Sequence, residues 1–257
     1  MGRRKLDRSG EVTINKNGSE MIISAYRGNK DIDVYFPQYE WTAKNREYKS
    51  FRNGEIRCPY EPSVMKRGYI GVGEYLPYMN GKASTEYRSW KSILHCCYDP
   101  NHEDYPYYGE EGYTICNEWL DFQTYAQWYK DNHYNLKNQQ VILSSKIMNE
   151  DKVVSPTNSF FIPRSLSQLL RMHGVTCCHG KYQVNLRYTT VDGVAHNDYL
   201  GFYGLDNAKL VYKENKERVV RELAEQYKDY IPTKLYDYMK NFVLDIKDIR
   251  VLRKKGE

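Results

Sequence analysis

The stretch 181–188, Lys-Tyr-Gln-Val-Asn-Leu-Arg-Tyr, alternates polar and apolar residues for eight positions without a break. Only an extended strand turns that period into two faces, because successive side chains of a strand point to opposite sides of its sheet. Tyr182, Val184, Leu186 and Tyr188 then line one side, and Lys181, Gln183, Asn185 and Arg187 the other, with no acid among the four. The apolar side needs a cover, and residues 206–230 supply one: Ala208, Val211, Asn215, Val219 and Leu223 recur at helical spacing, and Asp206 or Asn207 can cap the helix start. Three strand-like runs in 174–202, with a turn at Val191-Asp192-Gly193, complete a three-stranded antiparallel sheet covered by one helix.

The rest of the chain differs in texture. Residues 1–80 read as a β-rich module, with runs such as Glu-Val-Thr-Ile-Asn and Asp-Ile-Asp-Val-Tyr-Phe, and with type I′ turns expected at Asn17-Gly18 and Asn53-Gly54. Residues 86–172 form a central α/β module. Tyr87, Trp90, Ile93, Leu94 and Cys97 make one helical stripe, and Trp119, Phe122, Tyr125, Ala126 and Tyr129 a second, so two short helices cover an aromatic core. Two β-like runs and a helix at about 165–170 follow, then the 174–230 sheet and helix, and a final helix with a basic tail over 231–257. The expected fold class is therefore multi-domain α+β.

Charge and cysteine usage narrow the partners. The net charge is +5 in 257 residues. Residues 1–89 hold 16 Lys and Arg against 11 Asp and Glu, residues 90–173 hold 7 against 10, and residues 174–257 hold 15 against 12. Basic ends around an acidic middle suit a polyanion partner, and Arg3, Arg4, Lys5 and Arg8 read either as an arm for phosphate contacts or as a basic tail with no partner. No run approaches the roughly 18 apolar residues of a membrane span. Six cysteines, two pairs of them adjacent, fit neither a disulfide scaffold nor a paired Cys-x-x-Cys zinc site, so reduced thiols in a cytoplasm are expected.

The polar side of the 181–188 strand carries the chemistry DNA recognition uses: Lys and Arg for guanine edges or phosphate, Asn and Gln for adenine, and all four for backbone oxygens. A plain solvated strand remains the alternative. Among metal-ligand types, His95, Cys96, Cys97, His102 and Cys116 fall in a short window, and a structural zinc could take four of them, with His95, Cys97, His102 and Cys116 the set singled out. His95 and Cys96 are helical neighbours that diverge by about 100°, and Cys97 lies on the apolar stripe.

Two resemblances extend this reading. The run 173–215, with Gly174-Val175, Gly180-Lys181-Tyr182, Tyr199-Leu200-Gly201-Phe202 and a helix bearing Ala208 and Tyr212, resembles the AP2-type DNA-binding domain of plant transcription factors and phage homing endonucleases. The resemblance implies a sheet laid in the major groove, with contacts from Lys181, Gln183, Asn185 and Arg187, and with His196 and Asp198 or their neighbours. The central module is similar to the HNH-endonuclease-like proteins of phages, through Trp90 to Tyr98, Ile115-Cys116-Asn117-Glu118-Trp119 with Phe122, and Ser155-Pro156-Thr157-Asn158 running to Pro163.

That second resemblance implies Mg²⁺-assisted phosphodiester cleavage if the nuclease is active, with catalytic candidates His133, His173, Asn158 and His95. An HNH site needs a general base beside metal-holding carboxylate or imidazole groups. Here Ser144, Ser145 and Lys146 stand where the family usually carries acids or His, and Ser167 where a helix Asn is common. The expected function is double-stranded DNA binding of homing-endonuclease type, in the cytoplasm of a bacterial or phage-infected cell, with no membrane partner. Two rivals are a non-catalytic DNA-binding regulator, and an anti-defence phage inhibitor whose tyrosine-rich surface binds a host nuclease protein.

Overall fold

The computed structural model describes residues 6–253 and is mixed α+β with several sheets. The chain packs as two units, Met1–Tyr129 and Lys130–Glu257. No helix is long and apolar enough to cross a membrane.

The first unit opens on a four-stranded antiparallel meander of β1 (Val12–Ile14), β2 (Glu20–Gly28), β3 (Asp31–Phe36) and β4 (Trp41–Arg46). Met21, Ile23, Ile32, Val34, Phe36 and Ala43 alternate into one core, closed by Phe51 of the short helix α1 (Tyr48–Arg52). The two Asn-Gly pairs do not make type I′ turns. At the first, only Gly18 has positive φ, and Gly18 N–H and Asn15 N–H close the turn on Asn15 and Ser19 carbonyls. At the second, Asn53 caps the end of α1 and Gly54, at φ +66, takes the left-handed position after it. The same dipeptide geometry serves a helix end because Gly tolerates positive φ there too.

Two helices carry the aromatic core. Ser84 caps α2 (Thr85–Tyr98) by accepting from Tyr87 N–H, and α3 (Phe122–Asn132) begins four residues after Glu118. Trp90, Leu94, Trp119, Phe122, Tyr125 and Ala126 are fully buried, and Trp90 Nε1 donates to the Trp119 carbonyl at 2.7 Å. The expected pairing of two amphipathic stripes over one aromatic core is what forms.

In the second unit β5 (Val141–Ser144) and β6 (Phe160–Pro163) pair antiparallel and lead into α4 (Arg164–Arg171). Then come β7 (Gly174–Cys178), β8 (Lys181–Thr189), β9 (Ala195–Tyr203), the long helix α5 (Leu205–Tyr227) and α6 (Thr233–Lys240). The strand order is β9-β8-β7-β10, where β10 (Arg250–Arg253) adds a fourth, parallel strand against β7. That strand replaces the end of the final helix expected over 231–257: α6 stops at Lys240, and Val251 and Leu252 continue as sheet. The α5 cap also differs, since Gly204 is the N-cap with no side-chain bond and Asp206 lies inside the helix.

One core unites this unit. Phe160 and Ile162 of β6, Leu166, Leu169 and Leu170 of α4, Val184 and Leu186 of β8, and Val219, Val220 and Leu223 of α5 all belong to it. Residues 141–171 are therefore packed with the C-terminal sheet, and the break between units falls at 129–130, inside the 86–172 span read as one module.

Candidate nucleic-acid interface

Strand pairing decides which side chains share a face. The β7–β8 hairpin is closed by His179 and Gly180, both with positive φ (48° and 76°), the two-residue type I′ geometry. The second hairpin turns at Val191-Asp192-Gly193 as expected, with Gly193 at φ +86 and its N–H on the Thr190 carbonyl. With registers so fixed, Gln183 pairs with Thr176 and Phe202, Asn185 with Tyr199, and Arg187 with Asn197. Leu252 of β10 pairs with Thr176 and extends the same face, beside Arg250 opposite Gly174.

Val184 and Leu186 are buried beneath α5, whereas Lys181 and Arg187 are exposed and Gln183 and Asn185 half-buried. Arg187 Nε donates to Asn197 Oδ1 at 3.3 Å across the strands. Tyr199 and Phe202 are 59% and 45% exposed and meet edge to face at 6.1 Å, an apolar pair left in solvent on a polar face. None of the residues that the register puts on this face is acidic. The face thus combines amide and guanidinium donors with two aromatic rings.

A β-bulge at Val184/Asn185 builds it. Leu200 and Gly201 of β9 together face Val184, so the alternation of β9 changes phase there. Gly201 sits at φ +114, and a Cβ on it would meet Tyr203 Oη at 3.1 Å, so the bulge needs glycine. The phase change brings Tyr199 and Phe202, three residues apart, onto one side.

His196 and Asp198 do not share that side. His196 pairs with Tyr188 and stacks on it, with centroids 4.7 Å apart and planes at 6°. Asp198 pairs with Leu186, and burial followed by the Asp198 charge raises the Tyr188 phenol above its ordinary value. The neighbours Asn197 and Tyr199 take the open-face places instead.

Below the sheet lies a cationic site that the sequence reading missed. Lys216 of α5 is wholly buried; its Nζ donates to the Met172 carbonyl at 2.7 Å, stands 2.6 Å from His173 Nδ1 and reaches Tyr212 Oη at 3.3 Å. Burial lowers Lys216 from 10.5 to about 7. His173 is lowered to about 4, first by burial and then by Lys216. A lysine inside the helical stripe Tyr212, Lys216, Val219, Leu223 was the available signal. His173 is thereby held as a neutral acceptor in the support of the sheet.

The β5–β6–α4 segment has the strand-strand-helix order expected from the nuclease resemblance, but its polar groups serve the backbone. Ser144 and Ser145 are buried, and Ser145 Oγ lies 2.9 Å from Ser159 Oγ. Asn149 Nδ2 donates to the Ser145 and Val153 carbonyls, and Asn158 Nδ2 to Val153 at 3.3 Å, while Asn158 N–H closes the Ser155 turn. Ser167 Oγ is buried without a hydrogen-bond partner. His133 packs edge-on against Phe161 at 4.9 Å. Among the described residues, no group of three His, Cys, Asp or Glu donors forms in 141–171.

The one such group among the described residues is Cys96, His102 and Asp104, whose donor atoms lie within 4.8 Å of one another. It takes Cys96 and His102 from the window of ligand types and leaves His95, Cys97 and Cys116. Cys97 is buried and its thiol pushed up to about 12 by that burial, Cys116 is raised for the same reason, and His95 Nδ1 pairs with Asp99 Oδ2 at 2.9 Å. In the N-terminal arm, Arg8 bonds Glu11 and Tyr48 Oη and lies over the Tyr48 ring at 4.4 Å, so it is committed to the module; Arg3, Arg4 and Lys5 lie outside the described residues.

No protein-family model matches this chain, and no curated protein and no solved structure matches it either.

Proposed function

We propose that this chain binds double-stranded DNA through the open face of β8 and β9, as a protein of phage or mobile-element type built like a homing endonuclease. The observation that carries the reading is the acid-free face of Lys181, Gln183, Asn185, Arg187 and Asn197 around an exposed Tyr199–Phe202 pair. Arginine, lysine and carboxamide side chains are the groups that read base edges and hold phosphates, and aromatic rings give apolar contact to the thymine methyl or the sugar. Four parallel or antiparallel strands over one core keep those groups in fixed register, which is what a recognition face requires.

Within this reading the chain binds without cutting. Ser144 is buried, Ser145 is paired with Ser159, and 141–171 gathers no set of metal-holding donors among the described residues. A Mg²⁺-assisted step needs oxygen ligands around the ion and a base near the attacking water, and the local residues do not converge for it.

The exposed Tyr199–Phe202 pair also suits a second reading, a protein-binding module with a host nuclease as partner, since aromatic residues are enriched in protein interfaces. A gel-shift series against random-sequence duplex DNA separates the two. Binding through several phosphates weakens with salt at a log–log slope of about −0.9 per phosphate neutralised. No shift at low salt sinks the DNA reading. Supercoiled plasmid incubated with Mg²⁺ or Mn²⁺ should stay intact; nicking that EDTA abolishes would restore cleavage.

A further inference from the structure

We propose that Cys96, His102 and Asp104 form a binding site for one zinc-type divalent cation, separate from the DNA-reading face and independent of that reading. The site is made by the way α2 ends. Asp99, in extended conformation, stops the helix; His102 N–H then bonds the Asp99 carbonyl, Tyr105 N–H the His102 carbonyl, and Gly109 N–H the Cys96 carbonyl at 3.2 Å. These turns fold residues 99–109 back over the last turn of α2. They bring a half-exposed imidazole and an exposed carboxylate to a thiol buried at 8% exposure.

The spacing fits the ion. Cys96 Sγ and His102 Nδ1 are 3.8 Å apart, and all three donor atoms fall within 4.8 Å. Tetrahedral zinc with bonds of about 2.3 Å to sulfur and about 2.0 Å to nitrogen puts those donors roughly 3.6 Å from each other, so small rotations on an exposed loop close the set. A thiolate, an imidazole and a carboxylate together favour a borderline-soft ion over Mg²⁺ or Ca²⁺, which select oxygen.

His95 stands beside the group, with its ring centroid 6.1 Å from that of His102 and its Nδ1 on Asp99. A carboxylate on one imidazole nitrogen is the arrangement that orients a ligand histidine by its other nitrogen. Three protein donors leave a fourth position for His95 or water. The bland alternative is a thiol hydrogen-bonded to an imidazole in a packed loop. It has the same contacts without the ion, and only binding distinguishes the two.

The full chain, freed of metal by a chelator, is titrated with Co²⁺ and followed by the near-ultraviolet thiolate-to-cobalt absorption. The expected result is a band that saturates at one equivalent and is erased by equimolar Zn²⁺. Cys96→Ser loses the band, Cys97→Ser keeps it, and His102→Gln and Asp104→Asn weaken Co²⁺ binding by about tenfold or more. Circular dichroism checks that each variant is folded. Should Cys96→Ser fail to fold, the two loop variants decide, because their side chains are exposed or half-exposed. No band in the wild type, a band indifferent to both loop variants, or one lost with Cys97→Ser instead, overturns the site.

Discussion

Strands β5 and β8 belong to one unit and one core, and both carry polar residues where chemistry on a DNA backbone was expected. On β5 Ser144 is buried, and the adjoining Ser145 bonds Ser159. On β8, Lys181 and Arg187 stay in solvent, and the cross-strand bond from Arg187 Nε to Asn197 joins two members of the same face. A polar side chain whose hydrogen bonds are closed internally stabilises a turn or a strand end; one whose donors remain outward can meet a ligand. On the proposed reading, the contrast assigns recognition to β8 and a structural role to β5.

The sharpest attack on that contrast is a pair of variants measured side by side. Changing Lys181, Asn185 and Arg187 together to Ala should weaken duplex binding by about a hundredfold or more, since each good base contact contributes ~1–3 kcal/mol. Changing Ser144 and Ser145 together to Ala should leave binding within about twofold. Equal loss in the two proteins, in gel shifts at matched salt, would erase the distinction between the strands.

A second test splits β8 itself. Leu186 lies on the covered side, at 2% exposure. Leu186→Ala should lower unfolding free energy by ~2–5 kcal/mol in urea denaturation while duplex affinity of the folded protein is unchanged. If affinity falls with stability, the two sides of the strand are not separable.

The third prediction concerns pH. Lys216 drops from 10.5 to about 7 on folding and His173 from 6.5 to about 4, both first because burial disfavours the charged form. Between pH 7 and 10.5 the unfolded chain keeps the Lys216 proton that the folded chain has released, so stability rises as pH is raised through that window. His173 adds a rise of the same sign between pH 4 and 6.5, and the groups around it are Lys216, Asp248 and Arg250. Thermal melts should show Tm climbing by several degrees from pH 7 to 9.5, and Lys216→Met should flatten that climb. An unchanged slope in the variant would mean that the lysine is not charged in the unfolded chain alone.

The smallest effect is expected just after β5. Ser145→Ala removes one hydroxyl pair and should cost ~0.5–1.5 kcal/mol, read as a slight fall in urea midpoint.

Much of the sheet was legible because its period is strict. The eight-residue alternation fixed β8 and its two faces, and the helical spacing after 205 located α5, since both are short-range patterns. Strand β10 was not legible: four residues beside a basic tail carry no period, and they become a strand only because β7 offers an unpaired edge. His196 and Asp198 fall on the covered side because the turn before Ala195 sets them opposite Tyr188 and Leu186, a register that no local pattern in 195–199 marks. Lys216 hid in an apolar stripe as a charged residue that looked like the solvent edge of its helix. The Cys96, His102 and Asp104 group was half visible, as a window of ligand types, but which of them converge depends on how the chain turns after Asp99.

The extra residue in β9 has a consequence for how this protein can change. Substitutions on the open face alter one contact each, whereas the extra residue Leu200 sets how far apart along the chain the two rings of that face stand. Deleting Leu200 would leave Gly201 opposite Val184 and Phe202 opposite Gln183, so Phe202 would keep its side while regular pairing replaced the bulge. Deleting Asn197, between the turn and the bulge, would instead set Asp198 opposite Arg187 and Tyr199 opposite the covered Leu186, so the surface is encoded by the length of β9 as much as by its letters.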